Sequence, residues 1–215
     1  LFILLMSAAA AEAEDGYRLW MRYEAIGDES FRSACLAQLE TIALATPTGS
    51  DSPTLNAARE ELRLGLSGML NLDARFVLER APLSADAPID GFNVAPVGSD
   101  GIRISASSDI GVLYGAFTLL RHIQTHQPLK AAISSAPRIQ RRLLNHWDDL
   151  NGFVERGYAG SSLWEWFHLP GIGSTRYRDY ARACASIGIN GTVLTNVNAD
   201  ALILTPEYLA KVAAL

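Results

Sequence analysis

At 215 residues with 49% hydrophobic content, the chain is long and apolar enough to bury a sizeable core, which excludes a disordered or collagen-like polypeptide. A formal charge of -5 excludes a basic phosphate-binding surface, so no nucleic-acid partner is expected. Residues 1–13 run from Leu1-Phe2-Ile3-Leu4-Leu5 into small residues ending Ala11-Glu12-Ala13. That pattern matches the apolar stretch and A-x-A cleavage site of a secretory signal, here a partial one without a starting Met or basic flank. A buried N-terminal helix is the alternative. Thirteen residues are too few to span a bilayer and no later segment is apolar for long enough, so the mature protein is expected to be exported, periplasmic or extracellular, and free of the membrane. Cys35 and Cys184 fall in different predicted domains and are read as two ordinary thiols, although export would permit a disulfide.

Residues 17–23 and 39–45 read as strands, and the segment from Pro47 to Pro53 separates the second from a helix. Ser52 can cap that helix and Pro53 suits its first position, while Leu55, Ala58, Leu62, Leu66 and Met69 recur at helical spacing. Further strands are expected at 75–79, 91–97 and 101–106, the last two joined by Gly98-Ser99-Asp100. A second helix starts near Asp109 and buries Ile110, Leu113, Phe117, Leu120 and Ile123; Gly111 and Gly115 would let it lie close to a sheet. Ser134-Ser135-Ala136-Pro137 marks a boundary, giving a small α/β domain with a mixed sheet over residues 14–137.

Beyond Pro137 the order is strand (138–148), a long irregular excursion (149–173), helix (capped by Ser174, stopped at Gly188), strand (189–196) and a helix opening at Thr205-Pro206-Glu207. Such alternation implies parallel strands with crossover helices. A (β/α)8 barrel takes about 250 residues, far more than follow Pro137. Residues 138–215 are therefore expected to be only the first strands of a truncated TIM barrel.

In barrels of this kind ligands meet the C-terminal ends of strands. Two places qualify: Asn145-His146-Trp147-Asp148 with its following loop, and Thr195-Asn196-Val197-Asn198. A loop of about 25 residues exceeds the usual connection. This one carries Tyr158, Trp164, Trp166 and Phe167 beside Glu155 and Arg156. Flat apolar faces mixed with hydrogen-bonding ends suit sugars, and the planar fork of Arg156 could pair a carboxylate. A self-packed loop with core tryptophans and a Glu155–Arg156 surface pair is the competing reading. His122 and His126 have a spacing that can hold a metal, but no third ligand is evident and no metal is expected. His146 is read as a structural histidine. Gly171-Ile172-Gly173-Ser174-Thr175 could hold an anion or be a plain capped loop.

The runs Asn145-His146-Trp147-Asp148, Glu155-Arg156-Gly157-Tyr158-Ala159-Gly160 and Ser162-Leu163-Trp164 resemble the first barrel segment of family 67 glycoside hydrolases, the α-glucuronidases. Asn190-Gly191-Thr192-Val193-Leu194-Thr195-Asn196-Val197-Asn198 resembles their second barrel strand, and residues 14–20 and 101–121 their N-terminal domain, which is hexosaminidase-like. Asp149 and Asn151 stand in the reverse of the family's usual order of amide and acid, and Ser161 replaces a common basic residue. The resemblance implies an inverting hydrolase that removes α-1,2-linked glucuronic acid, or its 4-O-methyl form, from the end xylose of xylooligosaccharides, with no cofactor. It implies that the two catalytic acids lie on later barrel strands, so no catalytic residue is assigned here and the chain as written is expected to be inactive. Substrate-binding candidates are Trp147, Asp148, Glu155, Arg156, Tyr158, Trp164 and Asn196, with bracing an equal role for Asp148 and Arg156 and core packing favoured for Trp166. A homodimer, if formed, would use parts of the protein outside this chain. A non-catalytic exported carbohydrate-binding protein and a hexosaminidase-like glycosidase remain the alternatives.

Overall fold

In a computed structural model, residues 14–81, 88–195 and 199–215 are described. The proposed signal, residues 1–13, and Asn196 lie outside them.

The N-terminal part is built on five strands: β1 (Thr41–Thr46), β2 (Arg75–Arg80), β3 (Phe92–Val97), β4 (Gly101–Ala106) and β5 (Ile133–Ser135). They lie in the order β2-β1-β4-β3-β5. β1 runs parallel to β2 and β4, while β3 is antiparallel to β4 and β5, so the sheet is mixed as expected. The predicted boundary stretch contributes to it directly, since Ser134 and Ser135 pair with Asn93 and Phe92.

Helices α1 (Glu29–Gln38), α2 (Pro53–Leu70) and α3 (Asp109–Gln124) enclose the core. Ser52 caps α2 by accepting from the Leu55 N–H at 3.1 Å, and Pro53 takes the first turn, where its missing N–H costs nothing. Ser108 rather than Asp109 caps α3. Gly115 lies where a Cβ would come within 2.5 Å of Ile104, and Gly111 where it would meet the Gly91 carbonyl at 2.6 Å. The two glycines thus set the approach of α3 to the sheet. Leu55, Leu62, Leu66, Met69, Leu119, Leu120 and Ile123 are buried against Ile42, Leu44, Ile102 and Ile104.

Residues 17–23 are not a strand. Leu19 and Met21 donate to the Gly16 and Arg18 carbonyls in successive turns, and Gly16, Leu19 and Tyr23 have positive φ. Alternating polar and apolar residues imitate a strand there, but the neighbours Trp20 and Met21 both turn inward, which a pleated strand forbids. Helix α1 was not anticipated. Its apolar face is only Phe31, Cys35 and Leu36, though Asp28 caps it by accepting from the Ser30 and Phe31 N–H groups.

The second part contains β6 (Leu143–Asn145), α4 (Thr175–Ser186), β7 (Gly191–Val193) and α5 (Pro206–Ala214). β6 and β7 pair in parallel, Leu143 with Gly191 and Asn145 with Val193. Both strands are shorter than expected: the Arg142 N–H goes to the Asn190 side chain at 2.9 Å and the Ile189 N–H to the Cys184 carbonyl at 3.0 Å. Ser174 caps α4 and Gly188, at φ +79°, ends it. A second core gathers Leu150, Trp164, Trp166, Leu169 and Tyr177. Among the described residues no helix is long and apolar enough to cross a membrane. Cys35 is buried, Cys184 half-buried, and both are free thiols.

Candidate functional site

The C-terminal end of β6 opens into a hollow of about 500 Å³ lined in part by Asn145, His146, Trp147, Asp148 and Glu155. The chain leaves β6 extended, the His146 N–H still donating to the Val193 carbonyl at 2.9 Å. It then folds back on itself. Asp149 N–H donates to the Phe153 carbonyl at 2.8 Å, Val154 to Gly160 at 2.9 Å and Ser162 to Gly152 at 2.8 Å. The Glu155 N–H ties this loop to the strand end through the Trp147 carbonyl at 3.0 Å.

Glu155, Arg156 and Gly157 have consecutive φ values of 49°, 57° and 93°. Two neighbouring non-glycine residues in the left-handed region are uncommon and concentrate at functional sites. Gly160 also has positive φ, with open space where a Cβ would stand. The glycines of the Glu-Arg-Gly-Tyr-Ala-Gly run therefore serve backbone conformation rather than close packing.

Trp147, Asp148 and Glu155 meet at the hollow, but they are presented differently. Trp147 is 47% exposed and Asp148 only 2%. Asp148 Oδ2 accepts from the Ser162 hydroxyl and from the Leu163 N–H at 3.1 Å. Its Oδ1 lies 3.3 Å from His146 Nδ1. Arg156 and Tyr158 stand on the outer turn of the loop, exposed and outside the hollow's lining, Tyr158 being 87% exposed. Trp164 is 3% exposed; its indole N–H donates to the Leu194 carbonyl at 3.1 Å, and its ring packs against His146, Tyr177 and Tyr180. Trp166 is fully buried against Tyr208.

Tyr180, on α4, also belongs to this assembly. Its hydroxyl meets His146 Nε2 at 2.7 Å, and burial pushes its pKa up. The available signal was a phenol within an apolar stripe, since a buried Tyr needs a polar partner. His122 and His126 do not converge: one ring nitrogen of His122 lies 3.3 Å from the Pro128 carbonyl, while His126 stacks on Phe31. Among the described residues no group of three His, Cys, Asp or Glu side chains is arranged to hold a metal.

Comparison with known proteins bears on both parts of the chain. Residues 19–89 match the glycosyl hydrolase family 67 N-terminus, and residues 122–215 the glycosyl hydrolase family 67 middle domain. A probable alpha-glucuronidase A of Aspergillus terreus is 32% identical over 97% of this chain and 27% of its own length. The alpha-glucuronidase A of Aspergillus tubingensis is 31% identical over 95% of this chain and 26% of its own. The chain thus spans about a quarter of the length of these curated relatives. A solved GH138 enzyme targeting pectin rhamnogalacturonan II aligns with TM-score 0.49 and 17% identity over 73% of this chain and 19% of that one, a likeness too slight to bear on function. With both segments matched in order, and the loop and strand end that form the hollow lying within the second, the chain belongs to glycosyl hydrolase family 67.

Proposed function

We propose that this chain supplies the N-terminal domain and the first two barrel strands of an exported, inverting α-glucuronidase, which removes α-1,2-linked glucuronic acid or its 4-O-methyl form from xylooligosaccharides. One observation carries the reading: a hollow of sugar dimensions, faced by an exposed Trp and a carboxylate, opens at the C-terminal end of β6, one strand of a parallel pair. The barrel is supported by the pair itself. Parallel sheets are covered on both faces, yet Leu143, Leu144 and Val193 are exposed here, so the pair fits a sheet continued by further strands.

Trp147 offers its face to a sugar ring, and Glu155 accepts hydrogen bonds from hydroxyls. Arg156, from the loop's outer turn, pairs with the uronate carboxylate, Tyr158 offers a further ring there, and Asn196 exchanges a hydrogen bond with a hydroxyl. Asp148 and Trp164, being buried, brace that wall from behind. Inversion requires a carboxylic acid to protonate the leaving oxygen and a carboxylate to activate water on the opposite face. Those two groups belong to later strands, so this part of the enzyme binds and orients without cleaving.

The test is an NMR assay of the complete polypeptide on aldouronic acids. The expected outcome is release of the uronic acid with inverted anomeric configuration, and none from the 215-residue chain alone. Retention, or turnover by the 215-residue chain, would overturn the assignment.

A further inference from the structure

Helix α4 separates two sets of side chains with different partners. Asp179, Arg182 and Ser186 recur at intervals of three and four and face the N-terminal domain. Asp179 accepts from the Tyr17 hydroxyl at 2.7 Å. Arg182 forms a two-armed pair with Glu61 at 2.6 and 2.7 Å, and Glu61 also accepts from the Tyr23 hydroxyl at 2.6 Å. Ser186 Oγ accepts from the Trp20 indole at 3.0 Å. Tyr177 and Tyr180 look toward the second core instead, where the Tyr177 hydroxyl accepts from the Glu165 N–H at 2.8 Å. The Tyr180 hydroxyl is thus a fixed point, held by a helix fastened at several places to a separate packed unit.

His146 depends on that point. In an extended segment neighbouring side chains alternate in direction, and here His146 and Asp148 turn into the structure while Trp147 turns out. The imidazole is engaged at both nitrogens, Nε2 by Tyr180 at 2.7 Å and Nδ1 facing Asp148 at 3.3 Å. A neutral ring has one donor and one acceptor. Where Nδ1 carries the proton, beside the Asp148 carboxylate, Nε2 accepts from the Tyr180 hydroxyl, and the two contacts together set the orientation of the ring. Asp148 in turn holds Ser162 and Leu163 of the loop.

We propose that Tyr180 is a positioning residue for the sugar-binding wall: acting through His146 and Asp148, it fixes the strand end that presents Trp147. The inference rests on the glucuronidase reading for its substrate but not for its geometry. In the complete enzyme, Tyr180→Phe keeps the ring packing and removes the hydroxyl's contacts to His146 at 2.7 Å and to Thr192 at 3.3 Å. It should raise KM for a glucuronyl xylooligosaccharide by about 3- to 10-fold and leave kcat within about twofold. His146→Gln should raise KM similarly, and the double variant should rise no further than the larger single effect, because both act through one link. An unchanged KM, a loss confined to kcat, or two increases that multiply would overturn the proposal. Crystal structures of the parent and Y180F enzymes decide the geometry without substrate. A reoriented His146 ring in the variant supports the proposal, and an unmoved ring overturns it. Absence of cleavage by the parent enzyme would instead sink only the glucuronidase reading.

Discussion

The β6–β7 pair is finished differently at its two ends. At the lower end Arg142 donates to Asp90 at 2.6 Å and to the Gly188 carbonyl, while its guanidinium lies 5.7 Å from the centre of the Tyr114 ring. Asn190 joins the same knot, accepting from the Arg142 N–H at 2.9 Å and donating to Asp90 at 3.0 Å. Charge and hydrogen bonds there are spent within the protein, across the junction with the N-terminal domain. At the upper end Asp148 and the Trp164 indole are tied within the protein, but Trp147 is left outside, two residues carry left-handed backbone, and a hollow remains. The contrast shows how a strand pair divides its labour: closure at one end supports an opening at the other.

The sharpest test of that division is Trp164, which lies under the upper end yet is buried. Trp164→Ala should cost about 3–5 kcal/mol in chemical denaturation, the range for removing a large buried aromatic. A cost under about 1 kcal/mol would mean that the indole is not core. At the lower end, Arg142→Ala takes the charged partner from the Asp90 carboxylate, leaving it the Asn190 amide, and should cost about 2–4 kcal/mol while leaving KM unchanged in the fraction that folds. A rise in KM without loss of stability would erase the distinction between the ends. Trp147→Ala should do the reverse, raising KM about 10-fold or more while shifting stability by less than about 1 kcal/mol.

The smallest effect is alkaline and belongs to the N-terminal domain. Burial pushes the Cys35 thiol up from its usual 9.0 to about 11, and burial also raises Tyr23. A raised acid keeps its proton longer when folded than when unfolded. Its contribution is therefore complete below about pH 9 and disappears as pH climbs through about 11. Denaturation midpoints should fall gently across that window, and Cys35→Ala should flatten the fall.

Much of the fold could be read from the chain because local signals agreed with tertiary need. The Ser52-Pro53 start of α2 coincides with a buried stripe, and the Ser174 cap and Gly188 stop bound α4 where expected. Residues 17–23 misled because a period-two pattern served turns, and α1 escaped because its stripe is three residues wide. The hollow was legible as a strand end followed by a long aromatic loop. What that reading could not separate was the exposed Trp147 from the buried Trp164, since both are tryptophans in one motif-rich stretch and only packing distinguishes them. The Tyr180–His146 contact joins residues 34 positions apart, and no local pattern encodes it.

The most direct test of the account is a crystal structure of the complete enzyme soaked with a glucuronyl xylooligosaccharide. The uronic acid ring should lie beyond the ends of β6 and β7, in van der Waals contact with Trp147 and within hydrogen-bonding reach of Glu155. A sugar bound elsewhere, with only solvent beside Trp147, would contradict it.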